Sequence, residues 1–297
     1  MHVSIVIPAK NEEENIAQCL DAILNQETSF AYEIIVIDSG STDATVDIVK
    51  RYPAVQLAQI KSEEFGHGKT RNLGAEMARG DYIVFLNADA VPINTEWLTN
   101  LIRPLKENQN LAGVFSRHIP KDDCFLYMMR DLQTSMPDKP ILRTKAGKMD
   151  FMLFSTVSAA IPKATWKQFP FDNDIIIAED QAWANKVLNN GFAVLYEPAS
   201  IVRHSHNYSA RQLMENKRKV GEAEAPFRFK NKYSALIIGF MFMTGGIIFK
   251  FFGDMLFIFF RSPRGIPFSR KIKEIKISLA ARAAGFWGRY KGWLMHG

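Results

Sequence analysis

Cysteine is almost absent. The chain of 297 residues has two, Cys19 and Cys124, far apart and without the spacing of metal ligands. That excludes a disulfide framework and points to a reducing compartment. The opening residues, MHVSIVIPAK, have no basic start and no long apolar core before Pro8, so no secretory signal is expected. The turn after the first apolar run lacks a G-x-G-x-x-G, which argues against a dinucleotide oxidoreductase. No internal repeat is evident. Acid is scarce at one end. From residue 261 onward nine basic residues face one acid, Glu274, so this tail is +8 while residues 1–260 sum to −2. A basic tail on a slightly acidic body predicts an anionic surface met by the tail alone. Nucleic acid would call for charge on the body too, so no nucleic-acid partner is expected. Residues 235–260 hold only Lys250 and Asp254, four apart and spaced to pair on one helix turn.

What is present is an ordinary globular composition, 47% hydrophobic and 23% charged, long enough for one large α/β domain and an appendage. Apolar runs at 3–8, 33–38, 55–60 and 82–86 read as strands, and patterns at 11–26, 42–51 and 69–79 as helices. Asn11 followed by Glu14 suggests a capping box. The alternation predicts a Rossmann-like, mostly parallel sheet flanked by helices on both faces. Ligands of such sheets sit beyond the carboxyl ends of the strands. The residues there are Pro8-Ala9-Lys10-Asn11, Asp38-Ser39-Gly40-Ser41 and Asn87-Ala88-Asp89. Further on, residues 131–150 read as a mobile polar loop with two prolines, 151–161 as a strand, 179–190 as a helix ending at Gly191, and 192–197 as a strand. A charged helix follows from about Ser209.

The apolar stretch 235–260 is long enough to span a bilayer. A span would put the basic tail on the far side from the body, against the preference of basic flanks for the cytoplasmic side. A re-entrant hairpin turning near Gly245-Gly246, or helices in the interface, keeps body and tail together. Ile272, Ile275, Leu279, Phe286, Tyr290 and Trp293 recur at helical spacing among Lys and Arg, the pattern of an interfacial amphipathic helix. The alternative is a helix packed on the body or on a partner subunit.

Several residues at the strand ends carry chemistry. Asp38 in IDSGSTD fits turn chemistry with helix capping by Ser41, Thr42 or Asp43. It fits equally a hydrogen bond to a base or ribose. EFGHGKTRNLGA sets Gly66, His67, Gly68, Lys69 and Arg71 at a helix start, which suits a phosphorylated ligand. Otherwise the glycines shape a loop and Arg71 pairs with an acid such as Glu76; the density of the cluster favours the ligand. Glu179 and Asp180 stand at a helix N-terminus, where the dipole favours acids whether or not they react. His204 and His206 are two apart, and in an extended segment at most one would reach a given metal. Asp89, ending a buried strand, must cap a turn, be paired, or bind something.

The segments VIPAKNEE, VIDSGSTD, RNLGA, NAD before a proline, and ED on a later helix occur in the order found in glycosyltransferase family 2. The chain resembles that family over roughly residues 1–225, and EFGHGKTRN with HSHNYS is similar to its rhamnosyltransferase-like branch, which builds bacterial surface polysaccharides on lipid carriers. The resemblance implies a GT-A fold over residues 1–225, leaving 226–297 as a membrane-associated helical region. It implies that Pro8, Ala9 and Glu12 line the nucleoside, that Asp38 with Ser39 meets the base, and that His67, Gly68, Arg71, Asn87 and Ala88 lie near the nucleotide sugar. Asp89 matches the last acid of the family's Asp-x-Asp metal motif, and Asp180 the catalytic base of the Glu179-Asp180 pair. His204 is a further metal or diphosphate ligand, with His206 as second choice.

An inverting transfer fits these types. Asp180 would take the acceptor hydroxyl's proton. A hard divalent cation, Mg²⁺ or Mn²⁺, would neutralise the leaving diphosphate, and an imidazole ligand leans toward Mn²⁺. Asn87 departs from the family's usual acid and brings no charge to a metal. The expected partners are a nucleotide-diphosphate sugar, with rhamnose as first candidate, a lipid-linked glycan acceptor and the cytoplasmic face of a bacterial inner membrane. A non-catalytic sugar-nucleotide-binding scaffold is the rival reading; Glu179-Asp180 together with Asp89 argues against it.

Overall fold

Strands buried on both faces need continuous apolar runs, and the first, second and fourth strands have them, while the third, VQLAQ at the sheet edge, exposes Gln56 and Gln59. The computed structural model describes residues 2–145, 153–228 and 232–295. In it β1 (His2–Ala9), β2 (Ala31–Asp38), β3 (Val55–Gln59) and β4 (Tyr82–Leu86) run parallel in the order β3-β2-β1-β4. Helices α1 (Ile16–Leu24), α2 (Thr45–Val49) and α3 (His67–Met77) connect them. Side chains alternate across the sheet. Ile5 and Ile7 join Ile16, Leu20 and Ile23 of α1, and Trp97 and Leu101 of α4 (Trp97–Glu107), in the main core. Val6 faces Gly74 of α3 on the other side.

Beyond β4 the sheet continues through β8 (Ser158–Pro162), β6 (Leu111–Ile119), β9 (Ala193–Arg203) and β5 (Val91–Pro92). Strand β8 is antiparallel to β4 and β6, while β6 and β9 are parallel. Strands β5 and β7 (Ile141–Arg143) pair antiparallel with β9. The sheet is Rossmann-like at its start and mixed beyond β4. Helices α6 (Lys163–Gln168) and α7 (Glu179–Asn189) lie in the same unit.

Some local expectations change. The capping box at Asn11 does not form. Asn11 is left-handed, with φ 54°, and its Oδ1 accepts the Thr42 N–H at 2.8 Å while its own N–H donates to Ser41 Oγ at 2.8 Å. Its side chain ties the loop after β1 to the loop after β2, so α1 starts only at Ile16. The segment expected as a polar loop begins inside α5 (Leu126–Ser135) and includes β7; residues 146–150 of it lie outside the described residues. The strand expected at 151–161 is β8, starting at Ser158, with 151–152 also outside the described residues.

The chain divides into two compact units. One is Met1–Ile119 with Met136–His204; the other is Pro120–Ser135 with Ser205–Gly297. Residue 225, the expected boundary, falls within α8 (Ala210–Arg228). The second unit holds α5, α8, α9 (Lys232–Leu256), a π-helical turn at Phe257–Arg261 and α10 (Phe268–Met295). Helix α9 runs unbroken through Gly245-Gly246, so the expected hairpin turn is not there. Nor do Lys250 and Asp254 pair with each other. Lys250 Nζ lies 3.1 Å from Asp131 Oδ1, and Asp254 accepts from Ser278 (2.6 Å), Arg282 (2.7 and 2.8 Å) and Arg130 (3.0 Å). Burial opposes ionisation of Asp131, but Arg282 and Lys250 outweigh it and hold the carboxyl below its ordinary value. Glu274 caps α5 by accepting the Leu126 N–H at 2.9 Å. Helices α8 and α10 meet at backbone distance: a Cβ on Gly288 would lie 2.2 Å from Met214 O.

Asp254 is fully buried. Removing one partner of such a network leaves a charge stranded and costs about 3–5 kcal/mol. Asp254→Ala should therefore speed hydrogen exchange in α10 by orders of magnitude, whereas Leu279→Ala, at an exposed site, should leave it nearly unchanged.

Candidate active site

The carboxyl ends of β1, β2 and β4 converge. Ala9 is paired with Asp38, and the Ser39 N–H donates to Ala9 O at 2.9 Å. Asp38 does two jobs. Its Oδ2 accepts the Gly40 and Ser41 N–H groups at 3.1 and 3.2 Å, which is the turn chemistry. Its Oδ1 is buried and makes no hydrogen bond among the described residues, nor does the buried Ser39 Oγ. Buried polar atoms are nearly always satisfied, so this pair is suited to a ligand's N–H or hydroxyl. Glu12 lies in the turn before α1, its N–H donating to Thr45 Oγ1 at 2.7 Å and its Oε2 accepting from Asn15 at 2.8 Å.

Arg71 is the hub of the site. Its Nη1 donates to Glu179 Oε1 at 2.6 Å and to His67 O at 3.2 Å; its Nη2 donates to Asn87 Oδ1 at 3.0 Å. Both members of the Arg71–Glu179 pair are buried. The pairing with Glu76 considered from the sequence is replaced by this long-range one. Asn87 supplies a neutral acceptor where a second acid would compete with Glu179. Helix α3 sits close to the segment between α6 and α7 because residue 68 is glycine: a Cβ there would lie 2.7 Å from Asp172 O. Asn72 fastens the contact, donating to Phe171 O at 2.8 Å and accepting from Trp166 Nε1 at 2.9 Å and Phe171 N at 3.1 Å.

Asp180 opens α7 behind Ala178, a non-glycine residue at φ 65°. Such a conformation costs about 1–2 kcal/mol and marks strain beside a functional group. Asp180 accepts the N–H groups of Thr156 (3.3 Å) and Gln181 (2.8 Å). Burial, and then the neighbouring Glu179 charge, push its carboxyl up to about 6, with Arg71 opposing. Burial, and then Arg71, push His67 down to about 4, so it is neutral at pH 7.

Asp89 and His204 are brought together by a ladder. Strand β5 follows Asp89 and pairs Val91 with Arg203, the residue before His204. The result is 3.4 Å between Asp89 Oδ2 and His204 Nε2, both buried. An oxygen and a nitrogen donor at this separation suit a hard or borderline divalent cation. His206 falls two residues on, in a segment without strand structure after Arg203. The strand alternation that would set the two histidines on opposite faces therefore does not apply.

Three residues were missed from sequence. His118, at the carboxyl end of β6, sets its ring edge-on to His204, 5.6 Å between centroids. Burial, and then His204, push it down to about 3, so it is neutral. Its place at a strand end was a usable signal. Thr156 and Asn72 act across long sequence separations, and nothing local marks them.

The glycosyl transferase family 2 model matches residues 4–166, more than half of the chain. The protein belongs to glycosyltransferase family 2. It is 32% identical over 220 residues to the O-antigen chain rhamnosyltransferase RfbN of Salmonella typhimurium, covering 71% of this chain and 69% of that one. It is 31% identical to the O-antigen chain rhamnosyltransferase WbaN of Salmonella anatum, covering 63% and 61%. Among solved structures, the mannosyltransferase PcManGT of Pyrobaculum calidifontis, in complex with GDP-Man and Mn²⁺, aligns over 96% of this chain and 87% of its own, with a TM-score of 0.62 at 18% identity. The S. aureus TarS fragment 1–349 with UDP aligns over 98% and 90%, with a TM-score of 0.55 at 15% identity. These likenesses establish the GT-A fold.

The Arg71–Glu179 pair is testable by a double-mutant cycle. Arg71→Met or Glu179→Leu alone should lower unfolding free energy by about 3–5 kcal/mol by stranding a buried charge. The double variant should be less destabilised than either. Additive losses in urea unfolding would mean the pair is not coupled.

Proposed function

We propose that this protein is an inverting glycosyltransferase. It moves a sugar from a nucleotide-diphosphate donor to a lipid-linked glycan at the cytoplasmic face of a bacterial membrane, in surface-polysaccharide synthesis. The observation that carries the reading is Asp180. It is half-buried at a helix start, with its carboxyl raised to about 6, beside a Glu179 already committed to Arg71. One acid is thus neutralised structurally and the other is left to take a proton near neutral pH. Kinship to two O-antigen rhamnosyltransferases supports rhamnose as the first donor sugar to test.

Pro8, Ala9, Glu12, Asp38 and Ser39 would hold the nucleoside, Asp38 through its unused Oδ1. His67, Gly68, Arg71, Asn87 and Ala88 would line the nucleotide sugar. Asp89 and His204, with His206 as third candidate, would hold Mg²⁺ or Mn²⁺. When bound, the cation supplies positive charge to the leaving diphosphate. Asn87 adds no carboxylate, and its amide oxygen is taken by Arg71. The membrane partner is supported by the exposed apolar surface of α9 and the basic residues that follow it.

Asp180→Asn should abolish transfer and leave donor binding nearly intact; unchanged turnover would sink the assignment. In the unsubstituted protein, Asp180 is protonated below about pH 6 and cannot accept a proton. The kcat/KM profile should therefore fall with unit slope on that acid side. Calorimetry should find weak Mn²⁺ binding to the nucleotide-free protein, strengthened by a nucleotide-diphosphate sugar. Tight binding without nucleotide would mean another carboxylate serves the metal.

A further inference from the structure

Helix α9 has two different faces. The inner face packs along α10 from Leu236 to Asp254. Gly239 faces Tyr290 and Trp293, Gly246 faces Phe286, and Asp254 bonds Ser278 and Arg282. Helix α10 in turn meets the backbone of α8 through Gly288 and Gly292. Helix α8 is charged, with Arg218 bonded to Glu215 and Glu222. The outer face of α9 exposes Ile237, Met241, Ile248, Phe249 and Phe252.

By length and composition Tyr233–Arg261 is long and apolar enough to cross a bilayer. Its packing argues otherwise. A crossing along α9 would draw α10 and α8 into the hydrocarbon. With them would go Arg282, Asp131, Arg130, Arg218 and Glu222, and charges at mid-bilayer are rare and costly. An exposed apolar face of this extent marks an interaction site, and the basic residues that follow it in sequence say with what. Arg261, Arg264, Arg270, Lys273 and Lys276 are all exposed. A cavity of about 580 Å³ joins Arg130 and Arg261 to Leu256, Phe257 and Phe260, setting cationic groups against apolar ones. That combination matches the boundary between anionic headgroups and acyl chains.

We propose that α9 lies in the plane of an anionic bilayer, its outer face sunk to the headgroup–acyl boundary, and does not cross it. This rests on the membrane association in the proposed function and adds its geometry. The network of Asp131, Lys250, Asp254 and Arg282 ties Lys250 and Asp254 to the protein side, leaving the apolar side chains of the outer face toward lipid.

The test uses the full chain and vesicles of phosphatidylcholine with and without phosphatidylglycerol. Single cysteines at Ile237, Met241, Ile248 and Phe252 carry a fluorophore, quenched by nitroxides fixed at shallow or deep acyl positions; both native cysteines are buried. Equal, shallow depth at all four sites is expected. Arg261→Glu with Arg264→Glu should weaken partitioning to anionic vesicles by roughly tenfold or more. Labels deepest at Ile248, intermediate at Met241 and Phe252 and shallowest at Ile237 would overturn the in-plane geometry while leaving membrane association standing. Absence of binding to either vesicle would overturn both. Binding unaffected by phosphatidylglycerol would overturn the anionic specificity.

Discussion

The site depends on one buried cation. Arg71 reaches three elements at once: the first turn of its own helix through His67 O, the end of β4 through Asn87, and the start of α7 through Glu179. A guanidinium removed from water must have its charge matched, and Glu179 matches it. That pairing fixes α7 relative to the strand ends and sets the two neighbouring acids apart. Glu179 is spent on Arg71, while Asp180 feels burial and the Glu179 charge and rises to about 6. Two adjacent carboxyls with different environments take different roles.

The same constraint gives Asn87 its meaning. In an Asp-x-Asp arrangement both acids bring charge, but here an acid at 87 would lie on Arg71 and compete with Glu179. The amide gives Arg71 an acceptor without a charge. Asp89 stands two residues on, and the β5–β9 pairing sets it 3.4 Å from His204. The neutral residue at 87 thus goes with an imidazole nitrogen beside Asp89.

The first half of the fold was legible because burial on both faces writes itself as apolar runs, as in residues 34–37 and 82–86. Asp38, Asn87 and Asp89 are marked by their places at strand ends. Such a place also held enough signal for His118, which went unread. Asp180 and His204 stood out locally as an acid at a helix start and one of two close histidines, and the resemblance supplied their roles; Thr156 beside Asp180 and Asp89 beside His204 are remote in sequence. What was not legible follows from long-range pairing. Arg71 with Glu179 spans 108 residues, and Lys250 with Asp131 spans 119. Lys250 and Asp254 looked like partners of each other because one helix turn separates them. Instead each meets a charge from α5 or α10, which no local pattern reveals. The second unit is accordingly more than an appended tail, since α5, which lies in sequence between parts of the first unit, contributes Arg130 and Asp131 to its charge network.

The claim that Arg71 and Glu179 jointly set Asp180 as the base is tested most directly by the pH–rate profile of Glu179→Gln. Glu179 raises the Asp180 carboxyl and Arg71 lowers it. Neutralising Glu179 removes the first effect and leaves the second uncompensated. The acid limb of kcat/KM should then move below about pH 6 in whatever activity remains. A limb that stays in place, or moves to higher pH, would contradict the account.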